Sequence, residues 1–138
     1  MNHVSVIVTH WGMDERRSKL AIQSLDSLLQ STQIPLEVIV VHNKGTHYED
    51  FRLHSLQLLD QKKICHYIEN SENLHFGYAR NQGILLATAP HYIVIVDNDI
   101  IFERGWLERC IELIELYPDK NLIASPLAYP SPSNYVME

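Results

Sequence analysis

The sequence predicts an α/β fold: a Rossmann-like, mostly parallel sheet with helices on both faces. Three observations lead there. The runs VSVIV (Val4–Val8), LEVIVV (Leu36–Val41) and YIVIV (Tyr92–Val96) are short, β-branched and almost continuously apolar, the signature of strands buried on both faces. Stretches with helical periodicity separate them, so each strand is followed by a crossover that returns the chain to the same edge. A polar cluster then follows each of these three runs, where a parallel sheet keeps its ligand sites.

The elements follow in order. Val4–Val8 forms the first strand and is stopped by His10–Trp11–Gly12. Asp14 caps a helix from Glu15 to about Ser31, whose Leu20, Ala21, Leu25, Leu28 and Leu29 share one face. Ile34–Pro35 breaks the pattern, and Leu36–Val41 forms the second strand, ended by His42–Asn43–Lys44–Gly45. Tyr48–Leu59 is helical, with Leu53, Leu56 and Leu59 in phase. Ile64–Ile68 is a weaker third strand. After a polar loop, Gly77 to about Ala87 is a short helix that stops before Pro90. Tyr92–Val96 is the fourth strand, and Arg104–Tyr117 is an amphipathic helix presenting Leu107, Cys110, Ile111, Ile114 and Tyr117. Leu122–Ser125 is read as a short fifth strand. The remaining residues carry Pro, Ser and Tyr without periodicity.

Length and charge narrow the functions. A chain of 138 residues fits one domain with a sizeable core. Its net charge is −6, and its basic runs, Arg16–Arg17 and Lys62–Lys63, are too short for a nucleic-acid groove or a polybasic membrane patch. No apolar run reaches membrane-spanning length and the N-terminus has no signal-peptide core, so neither a transmembrane segment nor a nucleic-acid partner is expected. Cys65 and Cys110 lie far apart and outside any metal spacing. They read as buried reduced thiols, which suits a cytoplasmic protein, with peripheral contact to the inner face of the membrane left open.

Thr9–His10–Trp11, His42–Asn43 and Asp97–Asn98–Asp99 all fall at strand exits and should converge in space. In an extended segment Asp97 and Asp99 would point the same way, and two carboxylates so placed repel unless a cation sits between them. Mg²⁺ or Mn²⁺ takes such oxygen ligands and completes its shell with substrate phosphates. An isolated Asp–Asn–Asp would be a turn; its place directly after a buried strand favours the metal. A metal site including His10 or His42 also stays open. In NSENLHFGYARNQGILLA (Asn70–Ala87) a loop containing Gly77 opens a helix whose first turn carries Arg80. Helix N-termini and a guanidinium fork both suit phosphoryl oxygens. Trp11 offers a ring that can stack on a planar base or pack beneath the first loop.

Taken together, VSVIVTHW, LEVIVVHNKG, NLHFGYARNQGILLA and YIVIVDNDIIFERGWLERCIEL resemble the inverting family 2 glycosyltransferases of the GT-A fold, in that family's order. The resemblance implies a nucleotide-diphosphate sugar donor, an acceptor sugar or lipid-linked glycan, and a role in polysaccharide biosynthesis. By the D-x-D match, Asp99 would bind the metal and Asp97 the ribose or the metal's shell. Arg80 would lie near the diphosphate or the sugar, with Thr9 and Trp11 lining the nucleoside. His42 and Asn43 fall where the family has an Asp-led turn, and an imidazole cannot copy a carboxylate's acceptor pattern. The base identity therefore stays open. The resemblance places residues 1–127 in a nucleotide-sugar-binding subdomain and 128–138 in a tail or the start of an acceptor part. It also places the general base beyond this chain, so weak or absent transfer is expected of it alone. Two rivals stay open: a non-catalytic nucleotide-binding or assembly module, and a nucleotidyltransferase. The latter normally carries a Gly-rich loop after its first strand, where THWGMDERR has one Gly.

Overall fold

The computed structural model describes residues 3–120 and 122–126. Its elements are β1 (Val4–Gly12), α1 (Glu15–Gln30), β2 (Leu36–Gly45), α2 (Glu49–Asp60), β3 (His66–Glu69), α3 (His75–Leu86), β4 (Ile93–Val96) and α4 (Trp106–Glu115). The strands form one parallel sheet in the order β3-β2-β1-β4. The chain steps outward from β1 through β2 to β3, then crosses back to the far side of β1. The order therefore reverses at β1/β4, the position where open α/β sheets leave a crevice at their carboxyl edge.

Alternation along β1 divides the core in two. Val4, Val6 and Val8 join Val38, Val40 and Val96 in one buried cluster with Leu25 and Leu28 of α1, Phe51 and Leu58 of α2, and Trp106, Leu107 and Ile111 of α4. Ile7 faces the other side, where α3 packs on β1 and β2. Gly83 allows that close packing, because a Cβ there would lie 2.5 Å from Cγ2 of Ile7. Asp14 caps α1 as expected: its Oδ1 accepts from the Arg17 backbone N–H at 2.7 Å.

Several boundaries differ from the sequence expectation. β1 does not stop at Val8, nor β2 at Val41. Thr9 and His10 stay in register with Val41 and His42, and after a one-residue shift Gly12 pairs with Gly45. Two adjacent parallel strands satisfy each other's backbone even where their side chains turn polar. β3 starts at His66 rather than Ile64, and α3 starts at His75, before Gly77. Leu122–Ser125 is not a strand. Among the described residues it makes no backbone hydrogen bond to β4, and Ile123 is 99% exposed. An apolar run supplies no ladder partner by itself. The cysteines are both free, but Cys65 is exposed and Cys110 half-buried. Residues 127–138, which include the expected tail, lie outside the described residues.

Opposite the strand exits, Glu37 is buried at the start of β2. Its carboxylate accepts from the Ser5 hydroxyl and, at 2.8 Å each, from the backbone N–H and hydroxyl of Thr88. This ties β1, β2 and the α3–β4 connection together at the sheet's amino edge.

Candidate functional site

The three polar clusters do lie at one rim of the sheet, because β2, β1 and β4 are neighbours running in the same direction. Their side chains form two tiers, a buried neutral floor and an exposed charged lip.

The floor is built from strand ends. Thr9, His10, His42 and Asn43 are all buried. The His10 ring lies 4.1 Å from the Phe51 ring and stacks on His42 at 5.6 Å with an interplanar angle of 11°. Burial, and secondarily the neighbouring His42, pulls the His10 pKa down to about 3. Burial likewise lowers His42 to about 4, partly countered by Glu69. Both rings are therefore neutral at physiological pH. His42 Nδ1 lies 2.9 Å from the Tyr67 hydroxyl, while its Nε2 is buried without a hydrogen-bond partner among the described residues. Asn43 joins an amide network. Its Oδ1 accepts from Asn70 Nδ2 at 3.0 Å and from the Leu74 backbone N–H at 3.1 Å, and its Nδ2 donates to Asn73 Oδ1 at 2.9 Å. Asn70 and Gln82 exchange a reciprocal pair at 2.8 and 3.0 Å. The loop before α3 is thus pinned to both β2 and α3, and so the start of α3 is fixed relative to the sheet.

The lip follows β4. Residues 97–99 leave the sheet, and Asn98–Asp99 form a turn rather than the extended continuation expected from sequence. β4 ends at Val96, opposite Val8, so no ladder holds the chain straight beyond it. Exposure still alternates, with Asp97 and Asp99 exposed and Asn98 half-buried. Asn98 Nδ2 donates to the Thr9 carbonyl at 2.9 Å and lies 2.9 Å from His10 Nδ1. Arg80 Nη2 donates to Asp97 Oδ1 at 3.0 Å, with the two side chains 35% and 63% exposed. The Arg80 guanidinium also sits over the Phe76 ring at 5.5 Å, and its Nε is buried without a partner among the described residues.

Thr9, His10, Asn98, Asp97 and Arg80 are thus connected by contact or by chain, and Asp99 belongs to the same turn. Trp11 and Gly77 are exposed and make no side-chain link to this group among the described residues. A Cβ at Gly77 would meet nothing within 4 Å, so close packing does not require glycine there. Sequence reasoning missed Asn70, Asn73, Gln82, Phe51 and Tyr67. The amide-rich loop between β3 and α3 was a usable signal for the first two; nothing local marks the others.

The donor set suits a hard cation only with help. Among the described residues no three His, Cys, Asp or Glu side chains form a metal cage. This disfavours a site built from His10 or His42 together with the aspartates. Asp99, exposed and without a hydrogen bond among the described residues, and Asp97 offer carboxylate oxygens. That fits Mg²⁺ or Mn²⁺, which bind through one or two carboxylates and keep water or phosphate in their other positions.

The parallel sheet with its crossover helices is a GT-A-like α/β fold. The family model for glycosyl transferase family 2 matches residues 5–136, and the chain belongs to that family. Among solved structures, the mannosyltransferase PcManGT from Pyrobaculum calidifontis, in complex with GDP-Man and Mn²⁺, superposes with a TM-score of 0.67. It shares 22% identity over 81% of this chain and 32% of its own. S. aureus TarS gives a TM-score of 0.62 at 22% identity, covering 84% of this chain and 20% of TarS. TarS 1–349 in complex with UDP gives the same TM-score and identity, covering 33% of that chain. This chain therefore spans between a fifth and a third of the structures it resembles. Comparison with curated protein sequences gives no match. No helix among the described residues is long and apolar enough to cross a membrane.

Proposed function

We propose that this chain is the donor-binding part of an inverting glycosyltransferase. It takes a nucleoside-diphosphate sugar at the exits of β1, β2 and β4 and serves transfer to an acceptor hydroxyl on a sugar or lipid-linked glycan. The observation that carries this reading is the Asp97–Asn98–Asp99 turn, tethered to β1 through Asn98 and paired to α3 through Arg80. Asp99 and Asp97 would hold a divalent cation, Mn²⁺ or Mg²⁺, which when bound neutralises the diphosphate leaving group as its charge develops. Arg80 leaves Asp97 or bridges from it to present its fork to the phosphoryl oxygens. Trp11 stacks on the nucleoside at the exposed end of β1. Thr9, His10, His42 and Asn43 form the floor beneath it, and the open surface at Gly77 leaves room for the diphosphate beside α3. The general base lies outside this set. Glu108, a carboxylate of α4, is committed to the Thr32 hydroxyl and the Gln33 backbone N–H at 2.7 and 2.9 Å.

Titration calorimetry with GDP-mannose and UDP-sugars, with and without Mn²⁺, tests the reading. Mn²⁺-dependent binding that vanishes in Asp99→Ala supports it. Binding that ignores the metal, or no binding at all, favours a nucleotide-binding or assembly module without donor chemistry.

A further inference from the structure

Asn98 sits between the two candidate metal ligands, and both contacts of its side-chain nitrogen go to β1. An amide nitrogen only donates. Its first hydrogen goes to the Thr9 carbonyl, where the β1–β4 ladder would otherwise have continued beyond Val8 and Val96. Its second points at His10 Nδ1, 2.9 Å away. That nitrogen can accept only if it carries no proton, so the ring must be the neutral form with its hydrogen on Nε2.

The other side of the ring agrees. His10 Nε2 lies 3.4 Å from the Ser18 hydroxyl oxygen. Ser18 spends its own hydrogen on the His47 carbonyl, in the segment following β2. Its oxygen is therefore free to accept from Nε2–H. Every donor in the series Asn98, His10, Ser18 and His47 carbonyl then meets an acceptor. The opposite tautomer would set N–H against N–H at Asn98. The stacked ring of His42 and the tilted ring of Phe51 pack against the imidazole and hold its plane.

We propose that His10 is a positioning residue for the acidic turn: its neutral Nε2–H imidazole accepts the Asn98 amide at Nδ1 and so sets where Asp97 and Asp99 stand. Its effect on ligand binding rests on the donor-site reading above, but the tether itself does not. His10 makes no hydrogen bond to Asp97 or Asp99 among the described residues. It acts through Asn98, replacing the backbone ladder that β4 lacks past Val96.

The experiment compares the 138-residue chain with His10→Phe, which keeps a ring but removes the acceptor, and His10→Asn, which puts an amide oxygen near the place of Nδ1. Long-range ¹H–¹⁵N spectra of the wild type at pH 7.5 should show His10 protonated on Nε2 alone. The Asn98 side-chain NH₂ signals should shift in His10→Phe and return toward wild type in His10→Asn. By calorimetry with GDP and UDP in the presence of Mn²⁺, His10→Phe should bind about tenfold more weakly, the scale of one lost hydrogen bond, with most of the loss recovered in His10→Asn. A proton on Nδ1 overturns the proposal even if neither variant folds. So does wild-type affinity in a folded His10→Phe. If the wild type itself binds neither nucleotide, the donor-site reading fails, and the Asn98 signals alone then decide the tether: unchanged signals in His10→Phe refute it.

Discussion

Lowering the pH from 7.5 to 5 should destabilise this domain through the two buried imidazoles. In the folded chain the pKa of His10 falls from 6.5 to about 3 and that of His42 from 6.5 to about 4. A depressed histidine pKa means that the folded state binds the proton less well than the unfolded chain. The stability it contributes is fully present above pH 6.5 and is lost as pH falls below that value. At pH 5 the unfolded rings are largely protonated while the folded rings are not, which costs about 2 kcal/mol per ring, or roughly 4 kcal/mol together. The figure is insensitive to the folded values, because pH 5 lies above both. Glu37 acts in the same direction but in a lower window. Burial raises its pKa, hydrogen bonds from Ser5 and Thr88 outweigh that, and the net value is lowered, so its contribution is lost only as pH falls below the ordinary carboxylate range. Urea unfolding at pH 7.5, 6.5 and 5 measures the effect. With a slope of about 1–3 kcal/mol/M the midpoint should fall by more than about 1 M. His10→Asn should lose about half of the acid sensitivity. A midpoint that stays constant from pH 7.5 to 5 would falsify the neutral-floor account.

Three further outcomes follow from contacts at and behind the rim. Gly83→Ala should destabilise by about 1–3 kcal/mol in urea unfolding, because the new methyl lies 2.5 Å from a buried β-branched carbon of Ile7; an unchanged midpoint would show that α3 does not pack as closely as described. Gly45→Ala should cost more than about 2 kcal/mol: its φ is +114° and its Cβ would lie 2.4 Å from the Gly12 carbonyl oxygen, so neither the backbone nor the neighbour can give way. Wild-type stability there would contradict the β1–β2 register. Arg80→Ala should weaken Mn²⁺-dependent nucleotide binding at least about tenfold, with Arg80→Lys recovering part of the charge but not the fork. Equal binding by all three forms would remove Arg80 from the site.

The strand sequence, the crossover helices and the convergence of the three polar clusters were legible because buried parallel strands leave a local, nearly continuous apolar signal. Three features were not. The polar tails Thr9–Gly12 and His42–Gly45 look like loops one residue at a time, yet pairing between neighbouring strands keeps them in the sheet. Nothing local marks His10 and His42 as buried: Phe51 of α2 packs against both rings, and Tyr48 and Tyr67 flank His42. Leu122–Ser125 carries the composition of a strand, yet among the described residues it does not pair with the open edge of β4.

The Asp–Asn–Asp triplet shows how a correct and an incorrect expectation can coexist. The chain turns after Val96 instead of continuing extended as strand alternation predicts. The exposure pattern survives for a different reason. Strand periodicity does not hold Asn98 inward; two hydrogen bonds to β1 do. In this turn, anchored at its middle residue, both flanking carboxylates are exposed. The spacing of one residue between them therefore matters less as strand alternation than as room for a single inward amide.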